Sequence, residues 1–395
     1  MSGDALLLQE FRPRPALVTP DCTPPRPRFP VIDAHNHLGE LFNGGWVDRP
    51  LAALLGAMDK AGVEAVVDLD GGWGEDTLSR HLDHFKAGAP ERFYHFGGVD
   101  WSQWPMRGDR FGAWAADRLR EQVQRGAQGL KIWKELGLHV RDHHDRRVTV
   151  DDPRLDPIWQ TAAELNVPVL VHVADPVAFF DPLDRFNEHW EELHVHPDWH
   201  VPAPPGPSFE HIVESFARLV LRHPRTTFIG AHVGCYAENL TWVGRLLDRA
   251  PNLYVDIAAR ISELGRQPYT ARRFFLKYAD RILFGADLGV DPAVYRIYYR
   301  FLETDDEYFD YDTGDVPGQG RWCIYGLFLP DNVLEKVYRL NALRLLAGKR
   351  PAEAESAPLG APRPSETLDL GGLCRACARP KPPIGAVFEP ENTSH

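Results

Sequence analysis

Histidines and aspartates that close apolar runs carry the chemistry of this chain. The first group is His35-Asn36-His37, at the end of Phe29-Pro-Val-Ile-Asp-Ala34. Residues i and i+2 of a strand point the same way, so both imidazoles leave one face of one strand end. Such a pair is ready to hold zinc or a similar divalent cation. Three later runs end in the same fashion: Val167-Pro-Val-Leu-Val-His172, Thr227-Phe-Ile-Gly-Ala-His232 and Arg281-Ile-Leu-Phe-Gly-Ala-Asp287. Brought together, these imidazoles and the carboxylate make a ligand set for a catalytic divalent metal with one position open to water. His143, His144, His194 and His196 stand in no such setting and read as packed or surface residues.

The elements that must position them follow from periodicity. Strand-length runs recur at Val31–His35, Val63–Leu69, Phe93–Val99, Gly129–Trp133, Val167–Val173, Thr227–His232, Leu253–Ile257 and Ile282–Ala286. Most are continuously hydrophobic, the pattern of parallel strands buried on both faces. Segments of helical period lie between them, at Pro50–Ala61, Arg110–Arg125, Arg154–Leu165, Phe209–Arg222, Glu238–Asp248 and Thr270–Tyr278, and a last helix covers Asn332–Leu346. The alternation predicts an α/β fold closed as a (β/α)8 TIM barrel. An open doubly wound sheet is disfavoured because no G-x-G-x-x-G follows the first strand. In a barrel the C-terminal strand ends share one mouth, where strands one, five, six and eight would deliver His35, His37, His172, His232 and Asp287. Two connections are too long to be simple links. Residues 174–208 follow strand five and residues 288–331 follow strand eight, both rich in aromatic side chains. Aromatic loops at this face either wall a pocket or serve packing and subunit contacts.

Composition sets the frame. The chain has 395 residues, 44% of them hydrophobic, enough for a large core. A barrel occupies about 250 residues as one domain. The expected layout is a proline-rich extended strap over 1–28, the barrel over 29–347, and a disordered Pro/Ala/Gly-rich tail over 348–395. A net charge of -12 with no basic stripe argues against nucleic-acid partners. The first ten residues lack the basic region of a signal peptide, and no run of about 20 apolar residues exists to span a membrane. The expectation is a cytoplasmic protein acting on a small molecule, with self-association open. Cys22, Cys235, Cys323, Cys374 and Cys377 are odd in number and scattered, which does not suggest a disulfide framework. Cys374-Arg-Ala-Cys377 sits in the polar tail without the surroundings that a redox or zinc site needs.

Four pieces together, Asp33-Ala-His35-Asn-His37, Val169-Leu-Val-His172, Gly230-Ala-His232 and Phe284-Gly-Ala-Asp287, resemble the amidohydrolase superfamily. Within it the chain looks like the amidohydrolase-related branch that includes aminocarboxymuconate-semialdehyde decarboxylase. The resemblance spans residues 29–347 and identifies fold and metal chemistry, not substrate. It implies that His35, His37 and His172 ligate one divalent metal, with zinc the favoured ion. Asp287 would be a further ligand or the base for its water, and His232 a general base beside it. A bound divalent cation can lower the pKa of water to about 7, where a neighbouring imidazole can shuttle the proton. Binuclear members carry a carbamylated lysine near strand four, and either Lys131 or Lys134 can serve. A strand-end lysine equally suits a substrate carboxylate, and the single-metal reading suits this branch better. Arg260, just past strand seven, is a candidate carboxylate clamp or a structural partner of Glu263 or Asp256. Asp175 lines the pocket or caps a helix. The expected function is metal-dependent hydrolysis of an amide, ester or lactone. The alternatives are nonoxidative decarboxylation of an aromatic or unsaturated acid, and a noncatalytic barrel that binds a partner.

Overall fold

A computed structural model describes residues 7, 10–11, 13–39, 45–72, 76–314 and 318–346. The dry apolar runs become β1 (Val31–Asn36), β2 (Val63–Gly71), β3 (Phe93–Gly97), β4 (Gly129–Ile132), β5 (Val169–Val171), β6 (Phe228–Gly230), β7 (Leu253–Asp256) and β8 (Ile282–Leu283). They form one eight-stranded sheet in sequence order, every neighbouring pair parallel. Two backbone bonds join its edges: Ala34 N–H donates to Phe284 O and Asp287 N–H to His35 O, both at 2.9 Å. The sheet is therefore wrapped into the TIM barrel that the pattern predicts. Ile32, Val67, Leu69, Phe96, Leu170 and Ile229 fill its interior.

Helices cover the outer faces. Leu54 and Met58 of the helix Leu51–Ala61, and Ile158 and Trp159 of Asp156–Leu165, are fully buried against the strands. The helix Phe209–Arg222 has the predicted bounds because its signals agree. Ser208 caps it by accepting from His211 N–H, and Phe209, Ile212, Val213 and Phe216 make one buried stripe. The final helical stretch runs from Asp331 through Leu346. Its Asn341 side chain donates to Ala279 O and Ile282 O where β8 begins, and Ala342 and Leu345 pack into the core. That end of the barrel reads as stability, opposite the strand C-termini.

Several expectations need correction. β5, β6 and β8 are shorter than their apolar runs and stop before His172, His232 and Asp287. The last residues of each run bend out of the sheet into the mouth, and hydrophobicity does not record where pairing ends. The 288–331 connection is not all loop. It contains the helix Pro292–Glu303, capped by Asp291, whose carboxylate accepts from Ala293 N–H at 2.8 Å. Tyr295, Tyr298 and Tyr299 dominate its buried face, and aromatic residues are middling helix formers. A helical turn at Thr77–His81, continuing to Lys86, lies unforeseen between β2 and β3. Residues 13–30 carry no helix or strand. They are fixed by Cys22 N–H to Asp306 Oδ2 (2.8 Å) and Arg28 N–H to Glu303 Oε1 (3.0 Å). The tail from 348, with Cys374 and Cys377, lies outside the described residues. No helix among the described residues is long and apolar enough to cross a membrane.

Candidate active site

The mouth is built by backbone that leaves the strands abruptly. His232, Val233 and Cys235 after β6, Ala259 after β7 and Asp287 after β8 all have φ between 49° and 59°. Left-handed backbone is costly for residues with a Cβ, and for β-branched Val233 most of all. Strain of this kind clusters at functional sites, where the surrounding structure holds it. On the facing strand the β1–β2 register shifts between Asp33 and Asn36. The strand-face rule that placed His35 and His37 together therefore applies only loosely here.

Asp287 is the focus. Its carboxylate oxygens lie 3.2 Å from His37 Nε2, 3.7 Å from His232 Nε2 and 3.8 Å from His35 Nε2. In each imidazole the other nitrogen is already bound. His35 Nδ1 meets Asp256 Oδ2 at 2.9 Å, His37 Nδ1 meets Asp70 Oδ1 at 2.6 Å, and His232 Nδ1 donates to Ala258 O at 2.8 Å. A carbonyl can only accept, so the His232 Nε2 carries a lone pair. Tying Nδ1 to a carboxylate or carbonyl and freeing Nε2 is how proteins orient imidazoles for a metal. His35, His232 and Asp287 alone place three donor atoms within 4.8 Å of one another. The donor set fits a divalent ion.

His172 sits at the edge of this group. Its ring centroid is 4.4 Å from that of His232, while its Nε2 lies 3.5 Å from Asp175 Oδ1. Asp175 also binds the Lys134 ammonium at 2.5 Å, so it neither caps a helix nor stands alone. Lys131 enters the mouth itself. It is 1% exposed, and its Nζ is 3.2 Å from His35 Nε2 and 4.7 Å from the centre of the Trp133 ring. Arg260 is 5% exposed and donates to Ala259 O. Among the described residues no carboxylate lies within 4.0 Å of its guanidinium, and Asp256 is engaged with His35 instead.

Burial sets the protonation states. It pushes His35 well below its ordinary value and His172 down to about 4, so both imidazoles are neutral at pH 7. Burial opposes charge on His37 too, but hydrogen bonds to Asp287 and Asp70 outweigh it and hold His37 up at about 9. Burial lowers Lys131 to about 8 against the pull of Asp287 and Asp256.

Sequence reasoning named Asp33 and Asp256 without an orienting role and passed over Asp68 and Asp70, the carboxylates behind the histidines. Asp33, Asp68 and Asp256 are wholly buried and Asp70 nearly so. Asp33 Oδ1 accepts from His35 N–H and Ala286 N–H, and Asp256 Oδ1 accepts from His232 N–H and Ala258 N–H. The signal was present in Val-Ile-Asp33, Val-Val-Asp68-Leu-Asp70 and Tyr-Val-Asp256. A charge inside an apolar strand must be fully bonded to be tolerated.

The amidohydrolase family profile matches residues 32–348, most of the chain. The chain belongs to the amidohydrolase family. It is accordingly an enzyme of the amidohydrolase type, hydrolase or decarboxylase, and members of this family bind a divalent metal. The resemblance read from the four motifs is borne out. No curated protein sequence matches the chain. Among solved structures it is similar to 2,6-dihydroxybenzoate decarboxylase from Rhizobium, at 17% identity and TM-score 0.49, over 81% of this chain and 99% of that one. A 2,6-dihydroxybenzoate decarboxylase complexed with 2,6-dihydroxybenzoate gives 17% identity and TM-score 0.50 over the same shares. The dihydroxybenzoic acid decarboxylase of Polaromonas sp. JS666, solved with manganese and 2-nitroresorcinol, gives 17% and 0.49 over 82% and 98%. At these identities the likeness is one of fold.

Proposed function

We propose that this amidohydrolase-family chain is a metal-dependent decarboxylase of an aromatic or unsaturated carboxylic acid. The observation that carries the reading is the pair of buried cations at the mouth. Lys131 reaches into the histidine cluster, and the Arg260 guanidinium, whose charge Glu263, Asp175 and Glu238 favour from a distance, has no carboxylate within 4.0 Å among the described residues. Buried charge without a close partner is expensive. An anionic substrate supplies that partner, and Arg260 can hold a carboxylate with two parallel bonds. The fold shared with dihydroxybenzoate decarboxylases agrees with this, as a likeness of fold.

In this reading His35, His37, His172 and Asp287 hold one divalent ion, zinc being the ion that a histidine-rich set favours. When bound, the metal supplies Lewis acidity at the mouth. Arg260 anchors the substrate and Lys131 balances negative charge. His232 Nε2, a lone-pair acceptor, takes a proton from a substrate hydroxyl or water and returns it to the carbon that loses CO2. That same acceptor beside Asp287 suits activation of water, which keeps hydrolysis of an ester, amide or lactone as the second reading.

The test is a panel of planar aromatic and unsaturated acids, with trapped CO2 measured beside product acid from esters, amides and lactones. CO2 release that depends on added zinc or manganese is expected. Hydrolysis of a lactone or amide with no CO2 from any acid would replace this reading with the second.

A further inference from the structure

Behind the mouth lies a second group of metal-capable side chains, Asp68, His81 and His95, all buried. They come from β2, the turn Thr77–His81 and β3. His81 Nδ1 meets Asp68 Oδ2 at 2.6 Å and His95 Nδ1 meets the same oxygen at 2.9 Å. The other oxygen, Oδ1, accepts from Leu38 N–H and Asp70 N–H, each at 3.3 Å. These four bonds fill the carboxylate, while His95 Nε2 is buried with no hydrogen-bond partner among the described residues. Although burial opposes it, the two imidazoles hold the Asp68 carboxyl well below the usual carboxylate range. Phe85 and Phe93 pack on the rings, and a dry setting strengthens such bonds.

What this group grips is the segment that carries His37. Leu38 is bonded to Asp68, and Gly39 N–H donates to Asp70 Oδ2 at 2.7 Å. A Cβ on Gly39 would stand 2.8 Å from that oxygen and 3.3 Å from His81 Cε1, so the backbone is pressed onto the cluster. Asp70 in turn binds His37 Nδ1. We propose that Asp68, braced by His81 and His95, is a positioning residue that sets metal affinity by fixing the His37-Leu38-Gly39 segment and the Asp70 carboxylate. The proposal rests on His37 being a metal ligand, as read above.

Two readouts test it on the full chain: the zinc dissociation constant, by chelator competition, and the visible spectrum of the cobalt-loaded protein. Asp68→Asn should fold, bind zinc about 10- to 100-fold more weakly and shift the cobalt bands. His95→Leu should do the same. His95→Asn should restore most of the affinity, because its amide N–H stands where Nδ1–H stood. A folded Asp68→Asn or His95→Leu protein with wild-type zinc affinity and cobalt spectrum would reduce the cluster to packing. If Asp68→Asn does not fold, the His95→Leu and His95→Asn pair decides. His37→Ala separates the two readings. If it leaves zinc affinity unchanged, the ligand assignment fails and this proposal falls with it. If it weakens zinc while Asp68→Asn and His95→Leu do not, only the positioning role is lost.

Discussion

A single imidazole illustrates how much backbone and side chain are matched at this mouth. His232 sits at φ 55°, a conformation that asparagine tolerates better than most residues. His232→Asn should therefore keep the fold and the metal but lose the Nε2 acceptor. Removing one general-base contribution costs about 10²–10⁴-fold in rate. Metal analysis beside kcat checks this, and a variant that loses metal with activity would make His232 a ligand. His37 gives a prediction in pH. Held up at about 9, it is protonated in the metal-free protein at neutral pH, and a ligand nitrogen must be free. Metal binding at pH 7 should thus release about one proton, and affinity should rise with pH until about 9. Calorimetry in buffers of different ionisation enthalpy measures the proton directly, and a pH-independent affinity would refute it. Arg260→Lys keeps the charge but loses the two-pronged bond. If Arg260 anchors the acid, KM should rise about tenfold or more with a smaller change in kcat.

At the scale of elements, the helix Pro292–Glu303 braces the first strand. Tyr295 O–H donates to Asp33 Oδ2 at 2.6 Å, and that oxygen's other partner is Asn36. Tyr295→Phe should destabilise by about 1–3 kcal/mol, the loss of one of two hydrogen bonds to a buried carboxylate oxygen. Burial raises Asp33 to about 6. A raised carboxyl keeps its proton in the folded state at low pH, and that contribution is lost as pH rises through about 6. The phenol is needed most by the ionised form, so the Tyr295→Phe deficit should grow across pH 5 to 7. Denaturant midpoints over that range check the sign. The same element shows where sequence reading stops. Strand order and the helix Phe209–Arg222 were legible because hydrophobic period and caps agree. The tyrosine helix was not, since bulky aromatics in a long connection read equally as loop. Ligand histidines at run ends were visible, whereas the bends that aim them, at His232, Ala259 and Asp287, leave no trace in hydrophobicity. The aspartates behind them were visible as letters, but the imidazoles that four of their bonds orient lie 13 to 221 residues away.

For the whole molecule, metal is a stability term as well as a catalytic one. A ligand that binds only the folded state at about 100 times its dissociation constant adds about 2.7 kcal/mol. Scanning calorimetry before and after exhaustive chelation should show a lower, metal-restorable transition, and coincident transitions would count against a bound ion. The location of that term has a further consequence. Where the barrel's edges meet, Asp287 N–H bonds His35 O, and the Asp33 carboxylate bonds the Ala286 amide 253 residues away. The proposed ligands straddle this seam. During synthesis His35 and His37 emerge early, yet their carboxylate partner arrives only with the last strand. A half-made chain can therefore hold no complete site, and closing so long a loop carries its entropy cost before any ion can reward it. Metal capture would then be the final event of assembly, a clasp that closes only on a finished ring. In hydrogen-exchange measurements the ion should slow the amides of Ala34, Ala286 and Asp287 far more than those in the middle of the barrel.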